Sequence, residues 1–344
     1  MRAFDSSSAL RREGRVSEVS SRFRFLLRQE GIVLAVTLLL ALILVVSLPG
    51  FRTFDNLIAL VRNISILGIL GVGLAIVVVG RGIDLSIAAT MAISAAWTIK
   101  LCAMGMPEIA AIGCGILLVV AVGFVNGYLV AFAEIPPIFV TLATALVIYG
   151  FGQFILIRTL VVNLPETATI MPALGQGRLF GIPAQLFILA AAAAAGHAFL
   201  SKTRWGRFTY AQGDNQEAAR LSGIKVRPLI ILQYILAGLI AFAGGVMLAG
   251  GNPTFSIRVA DGGILFDAIL VVVLGGVSLG GGSGSIFSVL AGTLLLGTIL
   301  NGMTIMDLTQ QVQDLVKGGV LLTAIIVDAA LHPRDEQTAR QSDI

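Results

Sequence analysis

An all-α, polytopic membrane domain of about ten helices is the fold class this sequence predicts, each helix being a stretch near the ~20 apolar residues that cross a bilayer. Three observations carry that reading. Hydrophobic residues make up 57% of the 344 and charged residues only 12%, about half the charged share of an ordinary soluble domain. Mean hydropathy is +0.95. The Lys and Arg residues fall in alternate intervals between the apolar stretches. The 40 glycines suit helices that pack closely in lipid.

The predicted spans are 31–49, 63–80, 86–104, 109–132, 137–157, 182–200, 229–250, 263–279, 284–303 and 314–332. With the N-terminal segment in the cytoplasm, the inside intervals hold 16 Lys/Arg and the outside intervals 5. Cytoplasmic loops carry such an excess. Residues 1–30 are read as a polar, arginine-bearing cytoplasmic tail with a Ser-rich start, 31–332 as the transmembrane domain, and 333–344 as a cytoplasmic C-terminal tail. The first apolar run is too long for a signal-peptide core and lacks a small-x-small cleavage site, so it reads as a retained helix.

Several function classes have no support. The net charge of +4 resides in loops that set orientation and gives no sign of nucleic-acid binding. Cys102 and Cys114 match no metal or redox spacing and read as small apolar side chains. Leu279–Ser285 (LGGGSGS) lacks the Lys-Ser/Thr of a phosphate-binding loop. No metal, cofactor or catalytic set is expected, and any energy from ATP must come through another chain.

The longest polar run between apolar segments is residues 202–228, with six Lys/Arg. A short helix from Asn215 to Ser222 is expected at its centre. Asp214 serves as N-cap with Glu217 three residues on, Arg220 lies in the last turn, and Gly213 and Gly223 frame it. A helix of about two turns is marginal alone in water, so it needs a partner surface.

Candidate path or gate residues are few. Gly80–Ser86 (GRGIDLS) interrupts two spans, with Gly82 loosening the helix and Asp84 and Ser86 supplying a charge and a hydroxyl. This is either a polar break on a pathway or a tight turn with Asp84 capping the next helix. Thr141 and Thr144 share a helix face after Ile135-Pro136-Pro137; they line a polar path or bond back to their own helix. Asp267, in the eighth span, is functional by default or a solvated carboxylate at a helix N-terminus, the reading favoured here. Asp314 and Lys317 are expected to pair locally. His197 has no partner close in sequence, and His332 sits at the membrane edge. A faint echo aligns Val77–Ser86 with Val271–Gly280, matching Gly82 to Gly276, and Asn126-Gly127 recurs as Asn301-Gly302.

Taken together, these stretches resemble the ribose-type sugar permeases of bacterial ATP-binding cassette (ABC) importers, a group related to the branched-chain amino-acid permeases. RGIDLS (Arg81–Ser86), NGYLVAFAEIPPIFVTLAT (Asn126–Thr144), TRWGRFTYAQGDNQEAARLSGIKV (Thr203–Val226) and FDAILVVVLGGVSLGGGSGSI (Phe266–Ile286) carry the resemblance. Arg81 stands where that family commonly has glycine.

The resemblance implies an inner-membrane transport subunit without ATPase activity of its own. It implies a coupling helix, comprising Gly213, Asp214, Asn215, Glu217, Ala218, Ala219, Arg220, Leu221, Ser222 and Gly223, that docks on a cytoplasmic ABC ATPase. It further implies a periplasmic substrate-binding protein at the outside loops 158–181 and 251–262, and a second permease chain, identical or different. Alternatives are an ABC permease for a polyol, nucleoside or branched-chain amino acid, and an ion-coupled transporter acting alone.

Overall fold

A computed structural model describes residues 29–261 and 263–331. Of the expected N-terminal tail, 1–30, residues 1–28 lie outside the described residues, as do the expected C-terminal tail, 333–344, and His332; Gln29 and Glu30 already belong to the first helix. Each predicted span falls on a helix. In chain order these are α1 (Gln29–Ser47), α2 (Phe54–Val79), α3 (Ile87–Ala103), α4 (Glu108–Ala131) and α5 (Pro137–Phe151, prolonged by a π turn to Ile157). A short α6 (Ile170–Gln176) precedes α7 (Ala184–His197, with a π turn to Lys202). Then come α8 (Arg204–Asp214), α9 (Gln216–Leu221), α10 (Val226–Gly250), α11 (Ile264–Gly275), α12 (Ile286–Ile305) and α13 (Gln310–Leu331).

Among the described residues, seven helices are long and apolar enough to cross a membrane. α3 is apolar but has 17 residues, α11 has 12, and α13 carries Asp314, Lys317 and Asp328. Several span boundaries differ from expectation, two of them for a visible local reason. α2 starts at Phe54, because Thr53 caps it by accepting from Asn56 N, so Arg62 lies within the helix. α11 stops at Gly275, because Gly276 takes a left-handed φ of +89°.

α2, α10 and α12 are buried along most of their length, whereas α1, α4, α5 and α7 expose apolar faces. Leu38, Leu146 and Phe154 point outward from these outer helices. In lipid there is no hydrophobic drive between helices, so close packing of small residues must hold them together. α10 supplies the main example, packing on α2, α3 and α4. On α4, Gly123 and Gly127 lie one turn apart against α10. A Cβ at either would sit 2.8 Å from the Ile235 Cα or 2.5 Å from the Ile231 Cα.

The bundle has two different ends. At one, Glu30 of α1 accepts hydrogen bonds from the Ser285 and Ser288 hydroxyls at the start of α12, 2.5 and 2.7 Å away. α8, α9 and the two inter-helix breaks 80–86 and 276–285 lie at this end. The opposite end is more ordered than the expected loops 158–181 and 251–262. β1 (Val161–Asn163) pairs antiparallel with β4 (Thr254–Ser256), and β2 (Arg178–Leu179) with β3 (Ile182–Pro183). The Glu108 carboxylate caps α6, accepting from the backbone N–H groups of Thr169, Ile170 and Met171 at 2.7–2.9 Å.

The internal echo is real in shape but shifted by one residue. Arg81 N donates to Val78 O and Gly82 N to Val77 O; Gly276 N donates to Val273 O and Val277 N to Val272 O. Both helices thus end in the same motif, with Arg81 (φ +66°), not Gly82, at the position of Gly276. The shift arises because the hydrogen-bonded turn, not the identity of the glycines, sets the register. The repeated Asn-Gly pairs share no such equivalence: Asn126 bonds to Ser86 near the α8–α9 end, while Asn301 exchanges amide bonds with Asn56 at the other.

Candidate coupling and gating site

The polar run 202–228 folds as two helices where one was expected. Thr203 caps α8 by accepting from Gly206 N at 3.0 Å. Gly206, Thr209, Gln212 and Gly213 form its buried face. α8 ends and α9 begins at a single residue, Asn215, whose extended backbone (φ −149°, ψ 104°) breaks the helix. Its side-chain oxygen accepts from Glu217 N at 3.0 Å and Ala218 N at 2.9 Å. The expected cap at Asp214 is therefore corrected to Asn215. Asp214 still belongs to the last turn of α8, and a cap needs non-helical backbone to aim its oxygen at the free N–H groups.

The other terminus follows expectation. Gly223 has φ +82°. Its N–H donates to Arg220 O at 3.0 Å, and Ile224 N to Ala219 O at 3.1 Å, the paired bonds of a glycine-terminated helix. Only Ala219 of α9 is buried; Asp214, Glu217, Ala218, Arg220, Leu221 and Ser222 are exposed. Leu221 is 85% exposed.

α8 seats this helix on the bundle. Gln212 donates to Gly80 O at 2.8 Å, and Gln233 of α10 donates to Gln212 Oε1 and Thr209 Oγ1, each at 3.2 Å. Gly213 has no room for a side chain, because Val79 O and Gly282 N occupy that space. Gly282 N in turn donates to Val79 O at 2.9 Å. Tyr210 donates to Gly284 O at 2.7 Å, and burial raises its phenol pKa, so it stays a donor. One short helix thus touches both breaks.

The first break holds a buried polar network. Asp84 Oδ1 accepts from Ser86 N at 2.9 Å and from the Ser86 hydroxyl at 2.6 Å. Ser86 Oγ accepts from the Asn126 amide at 2.8 Å. Thr141 bonds back to Pro137 O at 2.8 Å, and more weakly to Ile83 O at 3.4 Å, while Tyr234 donates to Ile83 O at 3.2 Å. Among the described residues, Asn126 Oδ1 and Thr90 Oγ1 are buried without a hydrogen-bond partner. Below Gly82 and Tyr234 a cavity of about 1080 Å³ opens at this end, walled by Glu134, Pro136, Gln233 and the α9 residues Glu217 and Arg220.

The structure therefore gathers Gly82, Asp84, Ser86 and Thr141 around one break and leaves two predicted residues elsewhere. Thr144 is half-buried and takes no part in this network. Asp267 is not solvated, which corrects the favoured expectation. Its carboxylate lies 3.2 Å from Lys317 Nζ, with both side chains nearly buried, and Lys317 also pairs with Asp314 at 2.9 Å. α13 packs on α11, and that contact brings the pair together. His197 also gains partners: the Ser201 hydroxyl 3.3 Å away and the Phe287 ring at 5.0 Å.

Sequence reasoning missed Thr209, Gln212, Asn126, Gln233 and Tyr234. The polar residues at helical spacing in 206–213, and a glutamine inside an apolar span, were the signals available.

A bundle of apolar helices with a polar break and an exposed helix hung beneath it defines a multi-pass membrane transport protein. The chain belongs to the family described as the branched-chain amino acid transport system permease component, whose model matches residues 56–325. Three curated relatives illustrate it. The ribose import permease protein RbsC of Escherichia coli (strain K12) is 33% identical over 88% of this chain and 94% of its own. The L-arabinose transport system permease protein AraH of the same strain is 34% identical over 82% and 85%. The fructose import permease protein FrcC of Rhizobium meliloti is 30% identical over 85% and 83%. No solved structure matches the chain significantly. The chain is a permease, a transport subunit and not a catalyst.

Proposed function

We propose that this chain is the membrane permease of an ATP-driven importer for a monosaccharide, in a bacterial inner membrane with both termini in the cytoplasm. The relatives named for ribose, arabinose and fructose support the solute class. The Lys/Arg asymmetry supports the orientation. ATP is hydrolysed by a separate cytoplasmic ATPase, a periplasmic binding protein delivers the sugar at the β1–β4 end, and a second permease chain completes the translocator.

The single observation that carries the coupling assignment is α9. It has six residues, is capped at both ends, and buries only Ala219 fully. A helix this short does not persist without packing. Burying Leu221 against a partner would contribute about 1.5–3 kcal/mol. α8 then transmits displacement of α9 to both breaks, since it bonds to Gly80 and Gly284. An ion-coupled mechanism has less to work with, because the Asp267 carboxylate is already paired with Lys317.

The test is co-purification of the tagged chain from its bacterium in mild detergent. Recovery of a P-loop ATPase at near-equal yield, lost in Leu221→Asp, is the expected result. Recovery of the chain alone, under conditions that hold known complexes together, would overturn the assignment.

A further inference from the structure

A second concave site lies beside α9, on the outward side of the bundle. A cavity of about 410 Å³ is walled by Phe132, Arg220, Lys225, Arg227 and Pro228, among others. Three cations thus line one small space. Arg227 is paired, with Glu134 Oε1 at 3.2 Å, and its guanidinium lies over the Phe132 ring at 5.2 Å. Among the described residues, Arg220 and Lys225 form no ion pair. Two of the cations flank the start of the 25-residue α10, where the helix dipole favours an anion and opposes a cation. The site therefore carries uncompensated positive charge where local electrostatics call for negative charge.

The apolar surroundings identify the occupant. Phe124, Tyr128 and Phe132 stack along α4, with ring centroids 6.0 and 5.0 Å apart. All three are exposed. The stack runs up the open face of a membrane-spanning helix and ends at the cavity. Aromatic side chains at a helix end sit at the bilayer interface, and basic pockets at that level take acidic headgroups. A soluble acidic protein would meet the cations but has no use for a ladder of rings leading into the bilayer.

We infer that Arg220, Lys225 and Arg227 bind the headgroup of an anionic phospholipid, whose acyl chain lies along Phe124, Tyr128 and Phe132. Arg220 belongs to α9, so the lipid ties the proposed coupling helix to the membrane surface. The inference rests on the orientation proposed above only for which leaflet supplies the lipid; binding itself does not depend on it.

The experiment is native mass spectrometry of the purified full-length chain in neutral detergent, mixed with phosphatidylglycerol, phosphatidylcholine or inorganic phosphate. Wild type is expected to retain phosphatidylglycerol at least fivefold over phosphatidylcholine. Lys225→Gln with Arg227→Gln should bring that ratio near one, while Lys225→Arg with Arg227→Lys should keep it. Raising the salt should shrink the preference of wild type, which checks the charge term without any variant. Equal retention of the two lipids by wild type, or an unchanged preference in the Gln variant, overturns the inference. So does displacement of the lipid by millimolar phosphate, which would make the site a free-anion site, or by the purified partner ATPase, which would make it a protein contact. Failure of wild type to recover the ATPase, with its lipid preference intact, would count against the coupling assignment alone.

Discussion

The side-chain amide of Gln212 donates to the main-chain carbonyl of Gly80 across 132 residues of sequence. The bond joins the helix before α9 to the residue at which α2 stops being helical. Gln233 locks the Gln212 side chain from the other side. Under the proposed coupling role, displacement of α9 would reach the 80–86 break through this bond.

Replacing Gln212 by Leu leaves the Gly80 carbonyl buried without that donor, while the Gln233 amide keeps only its bond to Thr209 Oγ1. An unsatisfied buried group costs about 1–3 kcal/mol. Sugar uptake should fall severalfold while the protein stays in the membrane and still recovers the ATPase. Uptake equal to wild type would show that α8 moves without the break.

Gly223→Pro should abolish uptake with the protein still inserted. Its φ of +82° is closed to proline, and its N–H donates to Arg220 O. Strain at such positions is about 1–3 kcal/mol, enough to unravel a helix of six residues. Glu217→Arg should do the same through reversed charge on the exposed face. Normal uptake in both would remove α9 from the coupling role.

Asp84→Ala deletes both acceptor bonds to Ser86 and frees the hydroxyl that holds Asn126. Transport should be impaired, with Ser86→Ala showing a milder defect because the backbone bond to Asp84 persists. Unchanged uptake and unchanged stimulation of the ATPase in Asp84→Ala would reduce this residue to a turn.

Lys317→Ala leaves Asp267 without its counter-charge at a side-chain exposure of 14%. Removing one partner of a buried pair costs about 3–5 kcal/mol, so the midpoint of thermal unfolding in detergent should drop clearly. Lys317→Ala combined with Asp267→Asn should recover much of the loss. If the double variant is no better than the single, the pair does not join α11 to α13.

Much of this architecture was legible in the chain. The ten apolar stretches, the glycine-rich breaks and the Gly223 terminus each depend on residues within a few positions of one another. Hydropathy over a span and the conformational freedom of one glycine are local properties, and they survive folding unchanged. The helical face of α8 was also written at regular spacing, though masked by the six Lys/Arg of the run.

Tertiary structure decided what depends on which helices become neighbours. Asn215 rather than Asp214 caps α9, because α8 finds a seat on Val79 and Gly282 and so runs on through Asp214. Asp267 is paired because α13 lies on α11. Arg81, not Gly82, matches Gly276, because the hydrogen-bonded turn sets the register. The sequence by itself determined where the apolar segments lie, because transfer from water to lipid is additive along a helix. Only the packed bundle decided the partners of its buried polar groups, because a hydrogen bond or ion pair needs a second group at a fixed distance, and that distance exists only once the helices have met.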